Sequence, residues 1–301
     1  MVQHIPVLLN QTLEGLAIKP DGRYWDGTFG GGGHSGEILS RLNNDGRLLA
    51  TDRDAVAEER AGRFSEDARF SFQRGTIQVM TEEVAAPLDG FLWDLGTSMM
   101  QLKDPERGFS FKDDGPLDMR MDRRQETTAA DLVNEMLEED LANLIYKYGE
   151  DRLSRRIARQ VVMARQQTRI ETTRELAECC KRAYPKKHHR IDPATRTFQA
   201  LRIAVNDELD QVSDPLPKAV AKLGVGGRAV IISFHSLEDR IVKHCFRELA
   251  ANGPYRIVTK KPLVADEQEA RENPASRSAK LRVLERMPDG WTAKRKGGRY
   301  E

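Results

Sequence analysis

Between Asp26 and Gly36 the chain reads Asp-Gly-Thr-Phe-Gly-Gly-Gly-Gly-His-Ser-Gly, with an apolar run before it and a helical spacing of Ile38, Leu39 and Leu42 after it. Four successive glycines continue neither a strand nor a helix well, because glycine has no side chain to pack and loses the most freedom on ordering. The segment therefore reads as strand, glycine turn and helix, the opening unit of an α/β fold. Bare backbone at a helix start also lets a ligand lie against main-chain N–H groups. Gly31, Gly33 and Gly36 satisfy G-x-G-x-x-G, a pattern that alone suits a dinucleotide or a merely flexible loop.

The rest of the first hundred residues repeats this theme. Short apolar runs at 22–29, 46–51, 70–73 and 91–93 alternate with helical patterns such as 37–42, which predicts a parallel sheet. From about 107 to 195 the sequence becomes charged and helical, so an all-helical domain is expected there. It would interrupt a Rossmann-like α/β domain made of residues 1–106 and 196–301. Strand signals resume at 228–234 after a turn at Gly224-Val225-Gly226-Gly227, and a helix follows over 237–249. Val283-Leu284 reads as a late strand and 294–299 as a frayed basic tail.

Charge is segregated beneath a net value of +1. Residues 1–100 carry 9 basic and 15 acidic side chains, residues 151–190 carry 12 and 4, and residues 256–301 carry 12 and 7. The two basic regions suit a polyanion such as RNA, and the acidic one a small or cationic ligand. Residues 1–16 lack a basic start, and Asn10 and Gln11 interrupt the apolar run, so no secretory signal is read. Cys179, Cys180 and Cys245 are too few for a disulfide framework. A cytoplasmic protein without a membrane span is expected.

Asp26, Asp52 and Asp94 all fall at predicted strand C-termini, where an open α/β sheet binds its ligand. Asp52, 19 residues after Gly33, sits where a carboxylate accepts hydrogen bonds from ribose hydroxyls. Three carboxylates would repel a pyrophosphate, whereas S-adenosylmethionine brings a sulfonium and an ammonium that they attract. Electrostatics thus favours a methyl donor over NAD. A nicotinamide-dependent oxidoreductase and a noncatalytic RNA-binding protein that retains the fold are the alternatives.

In the basic region Arg152, Arg155, Arg156 and Arg159 share one helical face, and Leu153, Ile157, Val161 and Ala164 share the other. Arginines so spaced suit phosphate oxygens. Lys181, Arg182, Lys186, Lys187 and Arg190 extend the same region. Cys179, Cys180, His188 and His189 lack a C-x-x-C pair, so no metal is expected. His235-Ser236 lies outside any G-x-S-x-G elbow, which argues against a hydrolase.

Longer blocks carry a more specific signal. They are Asp94-Leu-Gly-Thr-Ser-Met-Met-Gln-Leu102, Arg107-Gly-Phe-Ser-Phe111, Gly115-Pro-Leu-Asp-Met-Arg-Met-Asp122, Tyr148-Gly-Glu150, Pro193-Ala-Thr-Arg-Thr-Phe-Gln-Ala-Leu-Arg-Ile203 and Ser233-Phe-His-Ser-Leu-Glu-Asp-Arg-Ile-Val-Lys243. From His4-Ile-Pro-Val-Leu-Leu9 to Ser278-Ala-Lys-Leu-Arg282 the chain resembles the bacterial 16S ribosomal RNA cytosine-N4 methyltransferases, the MraW family. The resemblance implies a class I, S-adenosylmethionine-dependent methyltransferase sheet with a helical insertion. It also implies methylation of the exocyclic N4 amine of one cytosine, position 1402, in the decoding region, on 16S rRNA or a small-subunit particle. Donor contacts are implied at Gly32, Gly33, His34, Asp52, Ile77, Asp94 and Gln101. Ile77 stands where the family commonly has Phe, and Thr97, Met99, Met100, Lys103 and Asp192 also depart from its pattern.

The chemistry requires alignment of an activated methyl group with a weakly nucleophilic amine. Asp94, or the carbonyls of Leu95 and Gly96, could orient that amine and accept its surplus proton, while donor binding is the competing role for Asp94. A base turned out of its stack needs flat or hydrogen-bonding side chains around it. Phe109, Phe111, Arg120 and His235 are the candidates, and Asp118 joins Asp94, Arg120 and His235 as a candidate catalytic residue. Core packing for the two phenylalanines, a buried histidine, and an ion pair between Asp118 and Arg120 are the readings against which they stand.

Overall fold

The computed structural model describes residues 6–185 and 191–292, together with the backbone of 295–296 and 299–300. It divides into two compact units: Met1–Gly96 with Leu209–Glu301, and Thr97–Glu208. In chain order the first half of unit one contains α1 (Leu9–Leu16), β1 (Arg23–Asp26), α2 (Gly33–Leu39), β2 (Arg47–Asp52), α3 (Ala55–Ala61), β3 (Phe70–Arg74), α4 (Ile77–Glu83) and β4 (Leu88–Asp94). Unit two follows with α5 (Met99–Lys103), α6 (Ala129–Glu135), α7 (Glu138–Gly149), α8 (Ser154–Arg165), α9 (Thr173–Ala183) and α10 (Thr195–Val205). The chain then completes unit one with α11 (Asp210–Ser213), α12 (Pro215–Ala221), β5 (Leu223–Ser233), α13 (Ser236–Asn252), β6 (Tyr255–Ile257), α14 (Glu267–Glu272) and β7 (Lys280–Arg286).

The seven strands form one sheet in the order β3-β2-β1-β4-β5-β7-β6. The first five run parallel, and β7 returns antiparallel between β5 and β6. This is the expected Rossmann-like α/β architecture. Because β1, β2 and β4 are parallel, their last residues, Asp26, Asp52 and Asp94, all fall along one edge.

Side chains alternate across the sheet. Phe91 and Trp93 of β4 join Trp25, Ile231 and Leu284 on one face, against Met80 of α4, Leu216 of α12, and Val242 and Phe246 of α13. Leu92, Val230, Ile232 and Val283 point to the opposite face, against Leu13 and Leu16 of α1 and Ile38 and Leu39 of α2. Both faces being covered, the central strands are apolar almost throughout. Trp93 lies edge-on to Trp25 at 5.5 Å and is 5.2 Å from Phe91, while Trp25 Nε1 donates to Thr51 Oγ1 at 3.0 Å.

Unit two has its own core, built from Leu141 and Ile145 of α7, Ile157 and Val161 of α8, Leu176 and Cys180 of α9, and Phe198 and Leu201 of α10. Its limits are wider than the 107–195 read from sequence: α5 precedes that span, and α10 belongs to the helical unit because Phe198, Ala200, Leu201 and Val205 are buried in its core. Cys179 and Cys180 face that core, and burial pushes the Cys180 thiol up to about 12. His188 and His189 lie outside the described residues, as do His4 and Ile5 of the first block.

Three local features differ from expectation. The glycines at 224–227 lie inside β5, where the pairing with β4 shifts register between Leu88 and Gly90, and Gly226 has φ +81°. The run is thus a strand irregularity of the kind glycine permits, rather than a turn. Strand β6, three residues long, was too short to show periodicity. Arg295–Lys296 pairs with Arg299–Tyr300 in a small ribbon where a frayed tail is expected, and Lys294 is outside the described residues.

Trp93→Ala should cost about 3–5 kcal/mol in chemical denaturation, because it empties the centre of the aromatic cluster. Val225→Ala, at an exposed position, should stay within about 0.5 kcal/mol.

Candidate active site

Two of the three aspartates at the sheet edge, Asp26 and Asp52, are held by backbone and hydroxyl donors. Asp26 is buried, accepting from the Ser35 hydroxyl at 2.6 Å and from the Thr28 N–H at 3.1 Å. Asp52 accepts from the N–H groups of Gly30 at 2.8 Å and Asp54 at 2.9 Å. Thr28 in turn accepts from the Asp94 N–H at 2.6 Å, joining the glycine loop to the end of β4. Asp94 itself is mostly buried, and its Oδ1 is enclosed without a hydrogen-bond partner among the described residues.

His34, in the first turn of α2, bridges this cluster to the N-terminal segment. Its Nε2 lies 3.0 Å from the Val7 carbonyl, and its Nδ1 3.7 Å from Asp94 Oδ2. A carbonyl can only accept, so Nε2 carries hydrogen and a neutral ring turns its Nδ1 lone pair towards Asp94. Burial, then the nearby Asp26 and Glu238 carboxylates, hold Asp94 well above the ordinary range. Burial likewise pushes Asp26 up to about 6, opposed by the Ser35 and Thr28 hydrogen bonds, and raises Asp52. The edge therefore gathers carboxylates whose proton affinities are all raised by burial.

The glycine loop serves this cluster through its own shape. Gly32 is the N-cap of α2 with φ +69°, and a Cβ there would stand 2.4 Å from the Phe29 ring. Gly33 opens α2 against Pro6, which a Cβ would approach to 2.6 Å. These glycines are thus required by internal packing. Ile77 opens α4 just beyond the C-terminal end of β3 and is partly buried against the sheet core.

Other expected site residues are occupied by structural tasks. In unit two, Gln101 caps α5: its Oε1 accepts from the Ser98 N–H at 2.9 Å while its own N–H donates to Ser98 Oγ. Asp118 and Arg120 form the bidentate ion pair, at 2.8 and 2.9 Å, and Arg120 also donates to the Gln125 carbonyl at 2.6 Å. Burial alone would raise Asp118, but the Arg120 hydrogen bonds and charge outweigh it and the net shift is downward. Phe109 is buried and Phe111 packs on Phe198 at 4.8 Å, so both belong to the helical core. In unit one, His235 is the N-cap of α13, its ring accepting from the Glu238 N–H while Glu238 accepts from the N–H of Phe234 at 2.9 Å and of His235 at 3.3 Å. Histidine, phenylalanines and ion pair thus have capping and packing tasks, while Phe111, Arg120 and His235 remain partly exposed and His235 Nε2 has no hydrogen-bond partner among the described residues.

Sequence reasoning missed Thr28, Ser35 and Glu238. The spacing His235-x-x-Glu238 before an apolar run is a capping-box signature and was available; the tie from Thr28 to Asp94 was not, since it spans 66 residues. On α8, Arg155, Arg156 and Arg159 are exposed and Ile157, Ala158 and Val161 buried, with Arg152 just ahead of the helix. Arg159 lies 3.9 Å from Glu138, and Lys181 pairs with Glu178 at 3.0 Å. Lys186, Lys187 and Arg190 are outside the described residues.

Residues 1–287 match the MraW methylase family. The chain belongs to that family. It is 47% identical to the ribosomal RNA small subunit methyltransferase H of Thioalkalivibrio sulfidiphilus over 94% of this chain and 97% of that one. The protein of the same name from Neorickettsia sennetsu is 47% identical, covering 95% and 97%, and that from Coxiella burnetii 45%, covering 95% and 100%. Membership of a methylase family agrees with the acidic sheet edge, which suits a cationic methyl donor better than a dinucleotide.

The affinity of S-adenosylmethionine, read by calorimetry, should rise as pH climbs through about 6 and above. With raised proton affinities, Asp26 and Asp94 are neutral at lower pH and offer a cation no charge; ionisation restores the attraction. Asp94→Asn should flatten this profile, and a wild-type profile that is already flat would contradict the reading.

Proposed function

We propose that this protein transfers a methyl group from S-adenosylmethionine to ribosomal RNA of the small subunit, at the exocyclic N4 amine of a cytosine in the decoding region, position 1402. The observation that carries the proposal is Asp94 Oδ1, buried beside the glycine loop and unpartnered among the described residues, in a chain that belongs to a methylase family. A buried acceptor without a donor is costly unless a ligand supplies one, and an ammonium or an exocyclic amine would do so.

The donor brings a sulfonium-activated methyl group when bound. The protein's part is alignment and exclusion of water. Asp52, already accepting from Gly30 and Asp54, is positioned for ribose hydroxyls, and Ile77 offers an aliphatic surface for a purine in place of an aromatic one. Asp94 contacts the donor. A second role is favoured by its raised proton affinity: an amine that gains a methyl group must lose a proton, and Asp94 can accept it. The exposed arginines of α8 supply sequence-independent affinity for the phosphate backbone. Among the described residues, no helix is long and apolar enough to cross a membrane.

Small-subunit RNA from a strain lacking this protein should gain one methyl group, located by nuclease digestion and mass spectrometry at the N4 of the stated cytosine. Methylation elsewhere would overturn the site, and absence of transfer the activity. Asp94→Asn should weaken donor binding about ten- to hundredfold, the range for a hydrogen bond to a charged group. Full donor affinity with lost turnover would instead assign Asp94 to proton acceptance.

A further inference from the structure

Helices α7 and α8 of unit two form a hairpin through residues 150–153, and Arg155 Nη2 donates to Asn143 Oδ1 at 3.3 Å. Arg155 thus reaches the residue one turn before Tyr146 on α7, and Arg152 lies in the connection between the two helices. Tyr146 is 63% exposed, although α7 already buries Leu141, Ala142, Leu144, Ile145 and Gly149. Core packing therefore does not account for it. Lys147, Arg152, Arg155 and Arg156 are exposed at the same end, where Arg196 donates to the Glu150 carbonyl at 3.2 Å. The other end of the hairpin is acidic, with Glu135, Glu138 and Glu139, and there Glu138 lies 3.9 Å from Arg159. The arginines thus share this end of the hairpin with the exposed Tyr146 ring, while Lys147 lies 4.8 Å over the neighbouring Tyr148 ring and the exposed Glu150 is the acidic residue at this end.

We propose that Tyr146 is a stacking platform for an unpaired RNA base, with Arg152, Arg155 and Arg156 holding the flanking phosphates. The inference rests on the reading of RNA as substrate and deepens it by naming where a single-stranded segment lies on the helical unit. Every base has a π-face, so one tyrosine amid cations grips a strand without choosing its sequence. Base choice is left to the methyl-transfer site. A protein partner is disfavoured here, since the patch is charged rather than apolar.

The test uses the full-length protein and a labelled single-stranded RNA oligonucleotide of mixed sequence. Tyr146→Ala should weaken binding about tenfold, whereas Tyr146→Phe and Tyr146→Trp should keep wild-type affinity. Arg152→Gln with Arg156→Gln should make the salt dependence shallower by about 0.7 for each phosphate no longer neutralised. Thermal denaturation and donor affinity should be unchanged in all four variants, since none of the residues packs in the core. Wild-type RNA affinity for Tyr146→Ala would overturn the platform. So would a weakening confined to an assembled small-subunit particle, which would point to a protein partner. Either result would leave methylation by the wild-type protein intact, so failure of the platform is distinguishable from failure of the proposed activity.

Discussion

Carboxylates crowded at one edge of a sheet repel each other, and the rest of the catalytic unit is organised to hold them there. Asp26, Asp52 and Asp94 end three parallel strands, so the topology alone brings them together. Without compensation this concentration of negative charge in a poorly solvated place would be costly. Part of the compensation is main-chain and hydroxyl donors from the glycine loop and α2, and part is protons retained above the ordinary carboxylate range. Asp94 Oδ1 is left over.

The scaffold that imposes this is ordinary in its physics. Two apolar faces fix the sheet in the middle of the unit, and the aromatic cluster of Trp25, Phe91 and Trp93 lies directly behind the strands that end in Asp26 and Asp94. Rigid strands set the positions of the strand-end carboxylates, while the loop that follows β1 adapts around them. The helical unit has a separate core and a different charge. Its buried faces are made by Leu, Ile, Cys and Phe, and its exposed hairpin end gathers arginines. The acidic strand ends and the basic hairpin thus segregate charge of opposite sign within one chain whose net charge is only +1.

Much of the fold was legible because its signals are local. Strand, glycine run and helix follow each other within twenty residues, and apolar runs mark β1 to β5 and β7. Strand C-termini placed Asp26, Asp52 and Asp94 together from sequence, since parallel order requires it. The domain limits were less legible: α10 looks like any amphipathic helix, and only its burial against α7 assigns it to the helical unit. The glycines at 224–227 carry a turn composition, yet pairing with β4 holds them in a strand.

The sequence by itself determined the α/β class, the acidic edge, the family and the helical interruption, because hydrophobic period, residue order and charge are properties of neighbouring residues. Only the tertiary structure decided the tasks of individual side chains. Asp118 with Arg120, His235 with Glu238, and Gln101 with Ser98 are paired with one another, while among the described residues Asp94 Oδ1 and His235 Nε2 have no hydrogen-bond partner. Whether a polar group is spent on the fold or kept for a ligand depends on which donors reach it in space. That is settled by hydrogen bonds such as the one joining Thr28 to Asp94 across 66 residues, which no local pattern records.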